Sequence, residues 1–327
     1  MSSIPIRIQA TLYMKFASIT VYSQMSYERL LQRVTSILIM AEYAVSERCG
    51  MRPRSFDLIA RRGDEILIIR TVAHIDSMNE ETAHELAAIA HFLKGKPIVV
   101  GEKARDAELE RGAVYLRYGI ISTSAMTLYD LLVEEIPPLV YAQPGGLYVN
   151  IDGGLLHTLR EECNMSLGDL ASALGVSRRA ISKYESGMGT TLDIASRMEE
   201  IFDTALIEAI DLLSHPNPFE DTTKDHPAEL LPGFGRIGIG YFSTHNAPFE
   251  GLAFYGDDTI LTSYGPAQKV MRRAALIANL SGISNSRAVC VIKGYNKQKR
   301  IGIALIIGDS KFDSLESGSD LIDLIDD

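Results

Sequence analysis

Residues 167 to 187, LGDLASALGVSRRAISKYESG, space their apolar side chains in a way that leaves few folds open. Leu170, Leu174, Ile181 and Tyr184 recur at the three- and four-residue intervals of a buried helix face, with Val176 between them. Gly175 interrupts the run where a first helix ends, because the chain there needs positive φ and any side chain would clash. Ser177 follows at the position of an N-cap, its hydroxyl placed to accept from the amides of Arg179 or Ala180. Ala171 is small where two steeply crossing helices bring their backbones together. The pattern predicts two short helices joined by a tight turn, with Arg178, Arg179, Ser182 and Lys183 left on the outer face of the second.

The wider stretch, Leu155 to Glu162, the two short helices, the exit Tyr184-Glu185-Ser186-Gly187 and a helix over Leu192 to Phe202, resembles the Cro and phage-repressor superfamily of helix-turn-helix proteins. The resemblance implies double-stranded DNA as partner, with the helix over 178–186 entering the major groove. The DNA-binding residues it implies are Ser177, Arg178, Arg179, Ser182, Lys183 and, on the preceding helix, Arg160. Arg178 and Arg179 are expected to fork onto guanine, and Lys183 and Arg160 to meet phosphate. One position departs from the family: a Gln often opens the first motif helix, and here Leu167 stands there. The segment also carries many acids, among them Glu161, Glu162, Asp169, Asp193, Glu199, Glu200 and Asp203. DNA affinity rests on released counterions, so a single copy is expected to bind weakly and a homodimer is expected to repair this.

Composition sets the frame. A net charge of −10 over 327 residues excludes a general nucleic-acid coat or a membrane-surface protein, both of which use broad positive fields. Cys49, Cys163 and Cys290 are widely separated and form no CxxC pair, which suggests neither a disulfide framework nor a zinc site. A cytoplasmic location is expected, and no apolar run reaches the roughly 18 residues of a membrane span. Residues 1–24 are read as a leading extension, because Met14 and Met25 are both possible starts and a convincing helix begins only after Met25.

The predicted architecture is multidomain, α+β or α/β, with an all-α Cro-type domain at 151–210 between two mixed α/β domains at 25–140 and 233–327. Pro- and Gly-rich stretches at 141–150 and 211–232 read as linkers. The two flanking domains look alike. Phe56-Asp57-Leu58-Ile59-Ala60 is echoed by Phe249-Glu250-Gly251-Leu252-Ala253, Ile66 to Ile69 by Ile260 to Ser263, and Pro97 to Val100 by Ala288 to Ile292. Tyr118-Gly119-Ile120 is matched in kind by Ile301-Gly302-Ile303. An ancestral duplication and convergence on a common pattern both account for this, and a duplicated pair could associate within or between chains.

With a helix, then Pro53 and Asp57, then a hairpin and an Ile-rich strand, the first of these domains resembles the restriction-endonuclease and archaeal Holliday-junction resolvase fold. That family holds a divalent metal with an Asp on one strand and a Glu-x-Lys on the next. Here Asp57 is present, but Ile68, Ile69 and Arg70 stand at the second place. A metal-dependent nuclease using Asp57 is therefore the alternative, and a protein-interaction scaffold a third reading. Gly233-x-Gly235-x-x-Gly238 follows a proline-rich stretch and leads into a strand, so it lacks the helix that gives a dinucleotide fingerprint its phosphate site. His84 and His91, seven apart, lack the Cys or carboxylate company of a metal site. With Val45-Ser46-Glu47-Arg48 running into Arg52-Pro53-Arg54-Ser55-Phe56-Asp57, with Pro97-Ile98-Val99-Val100-Gly101 and with the central motif, the chain across most of 25–327 resembles an archaeal family of helix-turn-helix transcriptional regulators, which implies a sequence-specific transcription factor. No catalytic residue, metal or cofactor is expected. The flanking domains are expected to supply dimerisation and effector sensing.

Overall fold

The computed structural model describes residues 27–143, 145–219 and 233–327. The leading extension expected at 1–24 lies outside them, as do Pro144 and most of the second expected linker. Among the described residues the chain is mixed α/β, with two sheets and ten α-helices.

The first sheet is organised by an apolar run. Leu67, Ile68 and Ile69 are all fully buried, so their strand must be covered on both faces. Helix α1 (27–40) covers one face with Leu30, Leu31, Val34, Ile37 and Leu38. The strands β1 (Ala44–Val45), β2 (Leu58–Arg62) and β3 (Glu65–His74) follow. Helix α2 (Glu80–Phe92), capped by Asn79, crosses the opposite face to β4 (Lys96–Ala104). Then come β5 (Ala107–Glu108), β6 (Ala113–Arg117), β7 (Ile120–Ser124) and α3 (Ala125–Leu132). Strands β3, β4 and β7 are parallel and the hairpins flanking them antiparallel.

The stretch 141–150, read from its Pro and Gly as a linker, is instead a hairpin of β8 (Val140–Gln143) and β9 (Gly146–Ile151) that continues the sheet beyond β6. Turn residues served a hairpin here, and local composition does not distinguish the two. Helices α4 (Gly153–Glu162), α5 (Leu167–Leu174), α6 (Arg178–Glu185) and α7 (Leu192–Phe202) follow, with β10 (Thr190–Thr191) and β11 (Ile207–Glu208) both pairing back onto β9. The helical unit is thus rooted in the sheet at both ends. Residues 211–219, also read as linker, are packed too: Leu212, with Ile210 just before the stretch, buries against Val114 and Ile121, and Phe219 inserts among His84, His91, Phe92 and Phe242.

The second sheet contains β12 (Gly240–Ser243), β13 (Gly251–Tyr255), β14 (Asp258–Gly265), β15 (Arg287–Ile292), β16 (Lys299–Ile301) and β17 (Ala304–Gly308). Helix α8 (Ala267–Ser284) crosses from β14 to β15, and α9 (Asp309–Asp313) and α10 (Gly318–Asp326) cover the far face. Its order, β12-β13-β14-β15-β17-β16, reproduces β1-β2-β3-β4-β7-β6 strand for strand and direction for direction. The hydrogen-bond register makes the correspondence residue by residue. Ala60 faces Leu67 as Ala253 faces Ile260, and Leu67 faces Lys96 as Ile260 faces Arg287. This keeps Phe56 to Ala60 aligned with Phe249 to Ala253, but moves two sequence matches by one residue: Leu67, not Ile66, corresponds to Ile260, and Ile120 corresponds to Ala304.

The two plates pair within the chain. Helix α2 packs on β13 and α8 packs on β2, a reciprocal exchange about an approximate dyad, and one apolar core runs through both plates. The corresponding rings of Phe56 and Phe249 meet with centroids 6.2 Å apart. Glu85 adds a polar tie, accepting from the His245 and Asn246 amides at 3.0 and 2.9 Å and from the Ser55 hydroxyl at 3.1 Å.

Candidate nucleic-acid interface

The helical unit is set by its caps. Asp152 accepts from the Leu155 amide at the start of α4. Ser166 and Asp169 form a reciprocal capping box on α5, and Gly175 ends that helix with φ +70°. The Ser177 hydroxyl accepts from the Ala180 amide, 3.1 Å away, and starts α6. Leu156, Leu170, Ala171, Leu174, Ile181, Tyr184, Ala195 and Met198 close the core, joined by Val149 and Ile151 from β9. Sheet and helical unit therefore share side chains. Arg197, which sequence reasoning missed, donates from α7 to the Leu174 and Ala173 carbonyls at 3.0 and 2.8 Å, satisfying the end of α5.

With Ile181 and Tyr184 turned inward, Ser177, Arg178, Arg179, Ser182 and Lys183 are all exposed on the other side of α6. The Arg178 guanidinium bends back over the start of α5. A Cβ on Gly168 would lie 2.8 Å from its Nε, so Gly168 permits this seat. Leu167, in the place often held by Gln, is partly buried in the core.

Arg160 is not on this face. It is buried, its Nε donating to Glu185 Oε1 at 2.5 Å and its Nη1 to the Met165 carbonyl at 2.9 Å, which ties α4 to the end of α6. The sequence-based assignment of Arg160 to phosphate is corrected accordingly. The signal was present: Arg160 lies four residues after the buried Leu156 and so shares its inward stripe. Burial alone pushes the Glu185 carboxyl up, but hydrogen bonds from Arg160 and His157 outweigh it and hold the carboxyl below its ordinary value. A depressed folded value means that this contribution is complete above the unfolded carboxylate pKa of about 4.3 and is lost as pH falls through the folded value. Thermal unfolding followed from neutral to acid pH is expected to show this loss below about pH 4, and Glu185→Gln to flatten it.

Asp57 is the other feature the sequence singles out. Its oxygens accept from the Thr71 amide at 2.6 Å, the Thr71 hydroxyl at 2.9 Å, the Tyr27 hydroxyl at 2.9 Å and Arg70 Nη1 at 3.3 Å, and Arg54 Nε donates as well. Ile68, fully buried, stands where a second carboxylate would be needed. A carboxylate saturated by donors and flanked by two guanidiniums does not fit a divalent cation, which needs several free oxygens. Among the described residues no group of three or more His, Cys, Asp or Glu comes together in a metal-holding arrangement.

Comparison with known proteins accords with this anatomy. Residues 27–138 match the model of a PD-(D/E)XK superfamily domain, and 156–208 match a helix-turn-helix model. Relatives carrying the name "Putative HTH-type transcriptional regulatory protein" include those of Methanoculleus marisnigri, 52% identical with 92% of this chain and 99% of the relative covered, and Methanosphaerula palustris, 53% identical with 92% and 100% covered. That of Methanosarcina mazei is 39% identical over 92% of this chain and 98% of its own length. The chain belongs to this archaeal family of HTH-type transcriptional regulatory proteins. No solved structure matches it. This HTH-type regulator is a DNA-binding protein, and among its described residues no helix is long and apolar enough to cross a membrane. Both matched segments end before the regulator's second plate, so the repeat rests on the sequence echoes and on the strand register described above.

Proposed function

We propose that the regulator reads DNA by inserting α6 into the major groove, with Ser177, Arg178, Arg179, Ser182 and Lys183 facing the duplex. The observation that carries this is the polarity of α6: Ile181 and Tyr184 lock one side into a core shared with the sheet, and the basic side chains are exposed on the other. Arg179 is assigned to a guanine edge, a contact worth about 1–3 kcal/mol of discrimination. Arg178, bent over the start of α5, is assigned with Lys183 to phosphate. We assign the regulator to a homodimer on DNA, because one reading helix on a chain of net charge −10 meets few phosphates. The α2 and α8 faces are occupied within the chain, so the second copy must use another surface. The donor-filled Asp57 supports a plate with no nuclease role, and three free cysteines support a cytoplasmic setting.

Selection of DNA fragments is expected to return a recurrent inverted repeat. Arg179→Ala should relax base preference at one position of each half-site. Arg178→Ala and Lys183→Ala should weaken binding to every sequence alike and each reduce the salt slope by about 1. Equal losses from all three with an unchanged motif would remove this assignment of roles.

A further inference from the structure

The dyad between the plates leaves a cleft of about 330 Å³. Each plate contributes the same parts: the β2–β3 turn and the end of α2 from the first, the β13–β14 turn and the end of α8 from the second. The two helices end alike, on left-handed residues at register-equivalent places, Lys94 with φ +53° and Asn285 with φ +52°. Ile66, Phe92 and Leu93, buried residues of the first plate, are the large apolar residues that line the cleft.

The rim carries both signs of charge, and part of it is uncommitted. Arg61 and Asp64, on either side of the first turn, enter no side-chain hydrogen bond or ion pair among the described residues. Lys94 and Asp257 face each other at 3.3 Å with both side chains largely in solvent, a pair that is easily exchanged for a better partner. Arg287, by contrast, is already held by Asp258 and Asp326. A purely anionic ligand would meet Asp64 and Asp257, and a purely cationic one would meet Arg61 and Lys94. A molecule carrying both charges next to an apolar group satisfies the rim and these apolar residues together. The carboxyl ends of two helices on the rim further favour an ammonium there.

We propose that this cleft binds a free α-amino acid with an apolar side chain, its carboxylate toward Arg61 and Lys94, its ammonium toward Asp64 and Asp257, and its side chain toward Ile66, Phe92 and Leu93. The site has a physical path to the DNA-binding unit. Phe92 also packs against Phe219, ring centroids 5.7 Å apart, and Phe219 lies on the segment that leaves the helix-turn-helix.

The test uses the full chain, thermal unfolding and titration calorimetry, with each of the standard amino acids offered singly. One or a few apolar amino acids are expected to raise the unfolding midpoint by about 4 °C at a hundredfold excess over Kd. Their N-acetyl and carboxamide derivatives, each lacking one charge, should do nothing. The paired surface substitution Arg61→Gln with Asp64→Asn should leave the midpoint without ligand unchanged and abolish the shift. Lys297→Gln, remote from the cleft, should retain it. Absence of binding by all the amino acids, undiminished binding by the paired variant, or equal binding of an N-acetyl derivative would each overturn the proposal. Because these readouts contain no DNA, a failure of the α6 assignment would leave them untouched, and their failure would leave that assignment standing.

Discussion

Asp57→Ala is expected to destabilise the first plate by about 3–5 kcal/mol, because it strands Arg54 and Arg70 as guanidiniums without their shared carboxylate in a buried site. The variant also leaves the Thr71 amide and hydroxyl without an acceptor. Chemical denaturation followed by circular dichroism measures the loss. A second readout is local. The Tyr27 phenol is pushed up to about 12 by its burial and by the neighbouring Asp57 carboxylate. Removing that carboxylate should lower the titration of Tyr27, visible as phenolate absorbance, provided that the measurement is made where the variant is still folded. The result separates two views of the residue. A metal-holding aspartate can be neutralised at modest cost in stability, whereas a strut between two arginines cannot. Wild-type stability in Asp57→Ala would revive the nuclease reading.

Phe249→Ala is expected to cost about 3–5 kcal/mol, the range for truncating a buried phenylalanine, and to act on the pairing of the plates more than on either plate alone. Phe249 sits on the approximate dyad against Phe56, so Phe56→Ala should cause a comparable loss, and the double variant should lose less than the sum of the two. The same truncation should expose the amides of His245 and Asn246, which Glu85 holds across the interface, to hydrogen exchange. Strict additivity in this cycle, with exchange at those amides unchanged, would show that the rings do not share an interface.

How far the sequence could be read depended on the range of the interaction. The helix-turn-helix was legible because its determinants are near neighbours: Gly175 needs positive φ, Ser177 caps, and Leu170, Leu174, Ile181 and Tyr184 repeat at helical spacing. The same local logic failed at 141–150, where a hairpin and a linker use identical residue types. At Arg160 the spacing from Leu156 gave its inward direction, but not its acidic partner, which is 25 residues away on another helix.

The sequence by itself determined the two reading-unit helices, their caps and the basic outer face of α6, because each follows from backbone geometry and contacts within a turn or two. It also showed two similar α/β halves. Only the tertiary structure decided that these halves pair with each other, that Asp57 is filled by donors, and that the helix-turn-helix grows from the edge of a sheet. Those outcomes depend on which distant surfaces exclude water together, and burial between segments some 200 residues apart leaves no periodic trace in either segment.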